Sequence, residues 1–395
     1  MVNKVETPPI VLDQDRCSQC LICQSICPFE AISREDGQAP SIDLDKCMVC
    51  GMCASACPSG VIEPYYYGYD SMIKHVESKK TEDTENLVVM CRGSSPPGCD
   101  ILDILQDYSL EKSVFLRVPC VGRIPAEFYL KAFSLGLKRI VAVQCTEEFC
   151  HFNQGSQLNT RRVTALNMLL SGLGYSDDAL TVIENPQQAT YDTSKCVGCD
   201  KCVYICPYGA IEAQPLSTPK INYDKCTGCG ACALVCPHLA IEVKGFEHER
   251  LAGQIQNYRE KLSEIKSRGI SPAILVFCCQ WAEFSALDSV RDGFIRDNVA
   301  LVEIPCFNKL DPINVLQAFR SGFDGVLAVA CQDDDCKSKE GRNTAEDNMA
   351  VLDTTLRRMG LEDNFEVFKT YPRNVGDFEA ALDSFVAKVS SFPKK

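Results

Sequence analysis

The run CSQCLICQSICP, residues 17–28, places four cysteines in the spacing C-x2-C-x2-C-x3-C and follows the last with a proline. The same spacing recurs in CMVCGMCASACP at 47–58, CVGCDKCVYICP at 196–207 and CTGCGACALVCP at 226–237. Three thiolates on such a tight loop can wrap one face of an iron–sulfur cube, and the fourth enters a short helix that points toward a neighbouring cube. Structural zinc sites use two C-x2-C pairs instead. The four runs therefore predict [4Fe–4S] clusters and argue strongly against zinc at these positions.

The runs resemble bacterial-type 2[4Fe–4S] ferredoxins, in which the fourth cysteine of each run binds the other cluster. Cys27 and Cys47 are 20 positions apart, and so are Cys206 and Cys226, so the two pairs of runs share one layout. The crosswise rule predicts four [4Fe–4S] clusters with these ligands: Cys17, Cys20, Cys23 and Cys57; Cys47, Cys50, Cys53 and Cys27; Cys196, Cys199, Cys202 and Cys236; Cys226, Cys229, Cys232 and Cys206.

The composition fits a metal protein of a reducing compartment. The chain has 26 cysteines in 395 residues but only 4 histidines, and its net charge is −13. Secreted disulfide scaffolds are also rich in cysteine, yet the N-terminus lacks the apolar stretch of a secretion signal. No apolar run reaches the roughly 18 residues of a membrane helix. We therefore expect a cytoplasmic location, no direct membrane insertion and, given the acidity, no nucleic-acid partner.

The cysteines also reveal an internal repeat. Those of the first two runs recur at an offset of 179, and Cys120, Cys145 and Cys150 recur at 186 as Cys306, Cys331 and Cys336. Cys91 recurs as Cys278 at an offset of 187. These offsets predict a tandem duplication, one unit of roughly 185–190 residues used twice. The expected domains are two 2[4Fe–4S] ferredoxin modules at 1–67 and 191–246 and two longer modules at 68–190 and 247–395, with a polar linker at 185–194.

In the longer modules, short apolar runs alternate with helical patterns. LVVMC (87–91), SVFLRVPC (113–120) and RIVAVQC (139–145) are strand-like, and ILVFCC (274–279), ALVEIPC (300–306) and GVLAVAC (325–331) occupy equivalent places. CDILDILQDYS (99–109) and EFSALDSVRDGFI (283–295) are among the helical patterns. Such alternation predicts a doubly wound parallel sheet. The fold class is thus α/β plus α+β, with ferredoxin-like modules alternating with parallel-sheet domains.

A second set of cysteines follows these strands. Ligands of open parallel sheets bind beyond the carboxyl ends of the strands, so thiols there can converge. Four such thiols suit a [2Fe–2S] cluster, although four thiolates suit zinc equally well. Whether Cys91 or Cys99, and whether Cys278 or Cys279, is the fourth ligand stays open. The candidate sets are Cys91, Cys120, Cys145 and Cys150, and Cys278, Cys306, Cys331 and Cys336.

The segments VPCVGRIPAEFYLKAFSLGLKRIVAVQCTEEFC (118–150) and IPCFNKLDPINVLQAFRSGFDGVLAVACQDDDC (304–336) resemble the delta subunit of the methyl-viologen-reducing hydrogenase. This resemblance implies a [2Fe–2S] protein that connects a hydrogenase or formate dehydrogenase to a flavin-containing heterodisulfide reductase. The family usually shows two adjacent cysteines, then a tryptophan followed by another cysteine. Here Trp281 is followed by Ala282, and the first copy has no tryptophan at this place, so the first copy could lack its cluster.

The leading hypothesis is a non-catalytic iron–sulfur subunit that relays electrons between a donor (a hydrogenase, formate dehydrogenase or ferredoxin) and a heterodisulfide reductase-like complex. Its expected partners are the other subunits of that complex. No G-x-G-x-x-G follows a strand, so we expect no flavin or nucleotide site. Two alternatives remain: an enzyme that reduces a small disulfide at an exposed cluster or at Cys99 or Cys279, and zinc-stabilised docking domains beside a ferredoxin core.

Overall fold

The computed structural model describes residues 7–35, 37–95, 112–215, 217–284, 293–332, 335–336 and 339–392. The chain divides into two compact units, Met1–Gln187 and Gln188–Lys395. Each unit contains a cysteine-rich segment of short strands and helices, followed along the chain by a parallel sheet with helices. None of the helices in these ranges is long and apolar enough to cross a bilayer.

The cysteine-rich segment of the first unit consists of two antiparallel strand pairs and two short helices. β1 pairs with β4, and β2 pairs with β3. Each short helix carries the third cysteine of its run and ends immediately before the fourth. The elements are Ile10–Leu12 (β1), Ile22–Ile26 (α1), Ile32–Ser33 (β2), Ser41–Ile42 (β3), Met52–Ala56 (α2) and Ile62–Pro64 (β4).

The sheet of the first unit has four parallel strands in the order β6-β5-β7-β8. All six residues of the central strand β5 are buried, as expected for a strand covered on both faces. A single 3₁₀ turn, Val121–Arg123, follows the second strand. The elements are Tyr69–Lys79 (α3), Asn86–Cys91 (β5), Ser113–Val118 (β6), Ala126–Ser134 (α4), Arg139–Gln144 (β7), Gly155–Gly172 (α5) and Leu180–Glu184 (β8).

The second unit begins with the same kind of segment, in which β9 pairs with β12 and β10 pairs with β11. β9 lies inside the stretch 185–194 that was expected to be a polar linker, so that expectation was wrong for these three residues. They belong to a strand pair because Ala189, Thr190 and Tyr191 pair in register with β12. The elements are Ala189–Tyr191 (β9), Lys201–Ile205 (α6), Ile211–Glu212 (β10), Lys220–Ile221 (β11), Ala231–Leu234 (α7) and Ile241–Val243 (β12).

The sheet of the second unit has the order β14-β15-β13-β16-β17, in which only the edge strand β14 is antiparallel. Separate apolar clusters cover the two faces of the sheet. A 3₁₀ turn, Phe307–Lys309, again follows the second parallel strand. The elements are His248–Ser267 (α8), Ile274–Cys279 (β13), Phe294–Arg296 (β14), Val299–Ile304 (β15), Pro312–Ser321 (α9), Gly325–Cys331 (β16), Lys339–Met359 (α10), Phe365–Thr370 (β17) and Asp377–Ser390 (α11).

Two of the predicted helices lie wholly or largely outside the described residues. The pattern at 99–109 lies outside the described residues, and so does most of the pattern at 283–295. The end of the latter pattern was wrong as a helix, because Phe294 and Ile295 lie in β14 and Phe294 pairs with Ala300 of β15. An apolar pair at the end of a helical pattern also fits a buried edge strand, and only pairing with β15 distinguishes the two.

Candidate metal centres

The loops of the four cysteine runs share one backbone conformation. In each run the residue before the second cysteine and the residue after it have positive φ angles: Gln19 and Leu21, Val49 and Gly51, Gly198 and Asp200, and Gly228 and Gly230. A left-handed conformation is costly for a β-branched residue such as Val49. Such alternation turns successive N–H groups inward and makes an anion-binding concavity. Strain of this kind persists where the surroundings require it, commonly at functional sites.

Each of these loops forms one wall of a concavity, and four such concavities are each lined by four cysteines. In every case three cysteines come from one run and the fourth comes from the other run of the same segment. The cysteines of each concavity are those that the resemblance to two-cluster ferredoxins groups together. The groups are Cys17, Cys20, Cys23 and Cys57; Cys27, Cys47, Cys50 and Cys53; Cys196, Cys199, Cys202 and Cys236; and Cys206, Cys226, Cys229 and Cys232.

The two groups of each segment differ in exposure. Cys20 and Cys199 are exposed and belong to what we call the outer groups. The groups of Cys50 and Cys229, called the inner groups, contain no exposed cysteine. Burial raises the pKa of Cys50 to about 12 and that of Cys229 to about 11. A thiolate at such a depth needs a compensating cation or a metal ion.

Hydrogen bonds are directed at several of these sulfurs. The backbone N–H of Ala210 donates to Cys206 Sγ at 3.3 Å, and that of Ala240 donates to Cys236 Sγ at 3.2 Å. The Tyr191 hydroxyl lies 3.0 Å from Cys202 Sγ. Burial, followed by this hydrogen bond, raises the pKa of Tyr191, so the phenol stays protonated and donates to a thiolate. Hydrogen bonds to cluster sulfurs are one of the means by which proteins set reduction potentials.

A further group of four thiols lies at the sheet edge of the first unit. Cys91 ends β5, Cys145 follows β7, Cys120 lies two residues beyond β6, and Cys150 lies in the loop before α5. All four are no more than 2% exposed. The Cys91 thiol is hydrogen-bonded to those of Cys120 and Cys145, and Cys150 contacts the same two, so the sulfurs form a closed ring. Cys99, the alternative to Cys91, lies outside the described residues.

The second unit has the same ring, but it is built with Cys279. This thiol is 3.7 Å from Cys331 Sγ and is also hydrogen-bonded to Cys306. Cys336 contacts Cys306 and Cys331. The Cys278 thiol instead donates to the Cys279 carbonyl at 3.5 Å. Neighbouring residues of a strand point to opposite faces, so Cys278 and Cys279 cannot both reach the ring.

Strand register identifies Cys279, and not Cys278, as the counterpart of Cys91. Cys91 pairs with Val118, which lies two residues before Cys120. Cys279 pairs with Ile304, which lies two residues before Cys306. Cys279 is therefore the structural equivalent of Cys91, and the offset is one residue longer than the sequence comparison assumed.

Both rings lie at the switch point of their sheets. The order β6-β5-β7-β8 reverses direction between β5 and β7, and the second sheet reverses between β13 and β16. Crevices at these positions are where open parallel sheets bind ligands. The ring of the first unit is closely walled, because a methyl group built on Gly155 would overlap the Cys120 sulfur. Gly155 was not singled out from the sequence, since its close approach to sulfur depends on the packing of α5.

The two sheet domains match a known protein family. A family model for the methyl-viologen-reducing hydrogenase delta subunit matches residues 87–197 and 274–392, together more than half of the chain. The chain belongs to the hydrogenase delta subunit family. Models of a 4Fe-4S dicluster domain match residues 9–80 and 184–250. The resemblance to both families is thereby confirmed: delta-subunit domains and iron–sulfur dicluster domains occur together in one chain.

The curated relatives of this delta-subunit family member include iron-sulfur subunits of two hydrogenases. The chain is 31% identical over 94 residues to an iron-sulfur subunit of the F420-non-reducing hydrogenase of Archaeoglobus profundus, covering 23% of this chain and 68% of the relative. It is 24% identical over 123 residues to an iron-sulfur subunit of the F420-non-reducing hydrogenase vhc of Methanococcus voltae, covering 30% of this chain and 85% of the relative.

A longer relative is similar over a larger part of the chain. This relative is a subunit of the ferredoxin/F(420)H(2)-dependent CoB-CoM heterodisulfide reductase of Methanosarcina acetivorans. It is 35% identical over 180 residues, which is 45% of this chain. The chain spans only about a fifth of that relative, 22% of its length.

Proposed function

We propose that this delta-subunit family member is a non-catalytic electron-transfer subunit that relays electrons through a series of iron–sulfur clusters. One observation carries the proposal: in each unit the cysteines gather into three separate groups of four, two in the cysteine-rich segment and one at the sheet edge. Each group offers the four thiolates that an iron–sulfur cluster needs. A cluster held by four protein thiolates exchanges electrons without binding a substrate.

The proposed cofactors are four [4Fe–4S] clusters, one in each crosswise group, and two [2Fe–2S] clusters at the sheet edges. For the first sheet edge we propose Cys91, Cys120, Cys145 and Cys150 as ligands. For the second we propose Cys279, Cys306, Cys331 and Cys336, replacing Cys278 by its neighbour because only the Cys279 thiol reaches the others. When bound, these clusters would each accept one electron at a time, and the protein would set their potentials.

We further propose that the chain arose by tandem duplication of a ferredoxin module fused to a delta-subunit domain. The supporting facts are the shared strand order around each switch point and the presence in each half of a match to the delta-subunit model and a match to a dicluster-domain model. The proposed domains are 1–67, 68–188, 189–246 and 247–395. The second ferredoxin module is extended to include β9 because that strand pairs with β12.

The names of the relatives suggest the partners. Two are hydrogenase iron-sulfur subunits and one belongs to a heterodisulfide reductase. We propose that this chain works in the cytoplasm with other subunits of such a complex, between an electron-donating hydrogenase or dehydrogenase and a flavin-containing, heterodisulfide reductase-like acceptor.

Metal analysis of the anaerobically purified chain tests the cluster count. Four cubes and two [2Fe–2S] clusters predict about 20 iron atoms per chain, whereas zinc at both sheet edges predicts about 16 iron and two zinc. Electron paramagnetic resonance of the reduced protein should show [2Fe–2S] signals beside those of the cubes. A protein with about 16 iron and no [2Fe–2S] signal would exclude the sheet edges from the relay.

The alternative of a disulfide-reducing enzyme gains little from the geometry. It needs a reactive thiol that a substrate can approach. Of the two thiols expected for this role, Cys279 belongs to the thiol ring and is 2% exposed, while its neighbour Cys278 is 0% exposed, and Cys99 lies outside the described residues. A buried thiol of this kind behaves as a small apolar residue. The exposed Cys20 and Cys199 each belong to a group of four proposed cluster ligands. We therefore retain electron relay as the proposed function.

A further inference from the structure

In each unit the 3₁₀ turn that follows the second parallel strand carries a buried cation next to the inner group, and in the first unit Arg92 is buried as well and donates to the Tyr67 hydroxyl. Arg123 is 3% exposed and Lys309 is 0% exposed. Arg123 ends the 3₁₀ turn that follows Cys120, and Lys309 ends the turn that follows Cys306. Buried Arg and Lys residues are rare unless they are paired, so the surroundings of each cation decide its electrostatic effect.

Both side chains pack on the loop that carries the inner group. A Cβ atom built on Gly51, the residue after Cys50, would lie 3.0 Å from Nε and Nη2 of Arg123. A Cβ atom built on Gly230, the residue after Cys229, would lie 2.8 Å from Cβ of Lys309. Glycine meets two needs here, a left-handed φ and room for the cation. Arg123 and Lys309 thus occupy equivalent places within their own units.

Arg123 lies within electrostatic range of the exposed Glu63 but forms no ion pair with an acidic side chain of the described residues. Its Nη2 donates to the Tyr66 carbonyl at 2.8 Å, and its guanidinium carbon lies 5.4 Å from the centre of the Tyr67 ring. Within the part of the unit that the structure describes, no carboxylate pairs with Arg123, and its Nε and Nη1 atoms have no hydrogen-bond partner. Leaving a buried cation without an anion is costly. A negatively charged cluster beside Cys50 would supply that anion.

The charge of Lys309 is neutralised. Its Nζ lies 3.4 Å from Glu242 Oε2 and 2.9 Å from His248 Nδ1. His248 also lies 2.7 Å from the other Glu242 oxygen and 3.8 Å from Asp311. Two carboxylates therefore surround the second cation, and its field at the inner group of its unit is correspondingly weaker.

We propose that Arg123 raises the reduction potential of the inner [4Fe–4S] cluster in the first unit, whereas the Lys309–Glu242 pair leaves that of the second unit lower. A nearby positive charge favours the reduced cluster because reduction adds negative charge. The two inner groups each supply four cysteine ligands, and the different surroundings of Arg123 and Lys309 give their clusters different reduction potentials. This inference rests on the proposed function, since it requires clusters at both inner groups.

Potentiometric titration of the full-length chain, followed by electron paramagnetic resonance, tests the proposal. The iron content of the wild-type chain is measured first, so that a missing cluster is recognised as a failure of the proposed function. Arg123→Met should lower by about tenfold the ratio of reduced to oxidised inner cluster at fixed potential, which is 59 mV for one electron. Arg123→Lys keeps the charge and should restore most of the ratio.

Glu242→Gln tests the opposite sign in the second unit. Removing the Glu242 carboxylate leaves only Asp311, among the described residues, to offset the Lys309 charge, so the field of Lys309 at the inner group increases and one cluster should become easier to reduce. A purely structural role would not make the two substitutions shift potentials in opposite directions. Unchanged potentials in iron-replete Arg123→Met protein, or shifts of the same sign in both variants, overturn the proposal. If Arg123→Met fails to bind iron, the Glu242→Gln titration decides: a raised potential supports the proposal and an unchanged one refutes it.

Discussion

Replacing Tyr191 by phenylalanine should lower the potential of one outer cluster, the one proposed to be held by Cys196, Cys199, Cys202 and Cys236. The phenol oxygen lies 3.0 Å from Cys202 Sγ, and only the hydroxyl is removed. The first unit provides a matched control. Leu12 lies 179 positions before Tyr191 and lines the equivalent outer group, but it has no hydroxyl to donate.

The size of the shift follows from the hydrogen bond. A hydrogen bond to a charged group contributes about 1.5–3 kcal/mol. Only the part that strengthens on reduction affects the potential, because the added electron is shared over the cluster. Taking roughly a third of the bond gives about 0.5–1 kcal/mol, or roughly 20–40 mV for one electron. Tyr191→Phe should therefore shift one of the titrating species negative by this amount.

The assay is a potentiometric titration of the wild-type chain, Tyr191→Phe and Leu12→Phe, each with its iron content measured. Leu12→Phe tests whether an aromatic ring at this position, without a hydroxyl, changes the outer cluster of the first unit. We expect no shift there. An unchanged or raised potential in iron-replete Tyr191→Phe would refute the assignment of this hydroxyl as a donor to a cluster ligand.

Three further predictions concern the sheet edges and their support. Cys279→Ser should remove one [2Fe–2S] signal and about two iron atoms, because the ring loses a ligand. Gly155→Ala should remove the corresponding signal of the first unit, since a methyl group there would overlap the Cys120 sulfur. Arg162→Lys should lower stability by about 2–4 kcal/mol in thermal unfolding, because the Arg162 guanidinium joins the Gly122 carbonyl to the Ser55 hydroxyl at 2.9 and 2.7 Å.

Each of these substitutions has a control in the same element. Cys278→Ser should keep the [2Fe–2S] signal, and its loss there with retention in Cys279→Ser would reverse the ligand assignment. A methyl group on Gly172, at the other end of α5, meets nothing within 4 Å, so Gly172→Ala should keep full iron content. Arg161 is exposed, and Arg161→Lys should unfold like the wild type. Equal losses in a variant and its control would contradict the stated cause.

Much of the fold could be predicted because its signals are local. The apolar runs at 87–91, 139–145, 274–279 and 325–331 are strands of the two sheets, as predicted. Their continuous apolar character reflects burial on both faces, which leaves little ambiguity. β14 was missed because its residues carry no alternation of their own and form a strand only by pairing with β15.

The candidate sites also combine features that the local sequence predicts with features that depend on the folded structure. The spacing of each run places three thiols on one short loop, and the crosswise grouping of the fourth was implied by the resemblance to two-cluster ferredoxins. The choice between Cys278 and Cys279 depends on which face of β13 meets the switch point, and a shift of one residue reverses the face. No count of residues along the chain supplies that register.

Spacing and periodicity along the chain were enough to predict the cysteine-rich segments and the alternating strands and helices, because each of these features is short-range, and the resemblance of two segments pointed to the family. The packing of the folded chain was needed to decide which thiols meet at the sheet edges and which charges lie behind them. Arg123 and Lys309 hold equivalent places in the sequence repeat, yet among the described residues Arg123 forms no ion pair with a carboxylate, whereas Lys309 lies beside Glu242. That difference arises from β12 and α8, which place Glu242 and His248 around Lys309.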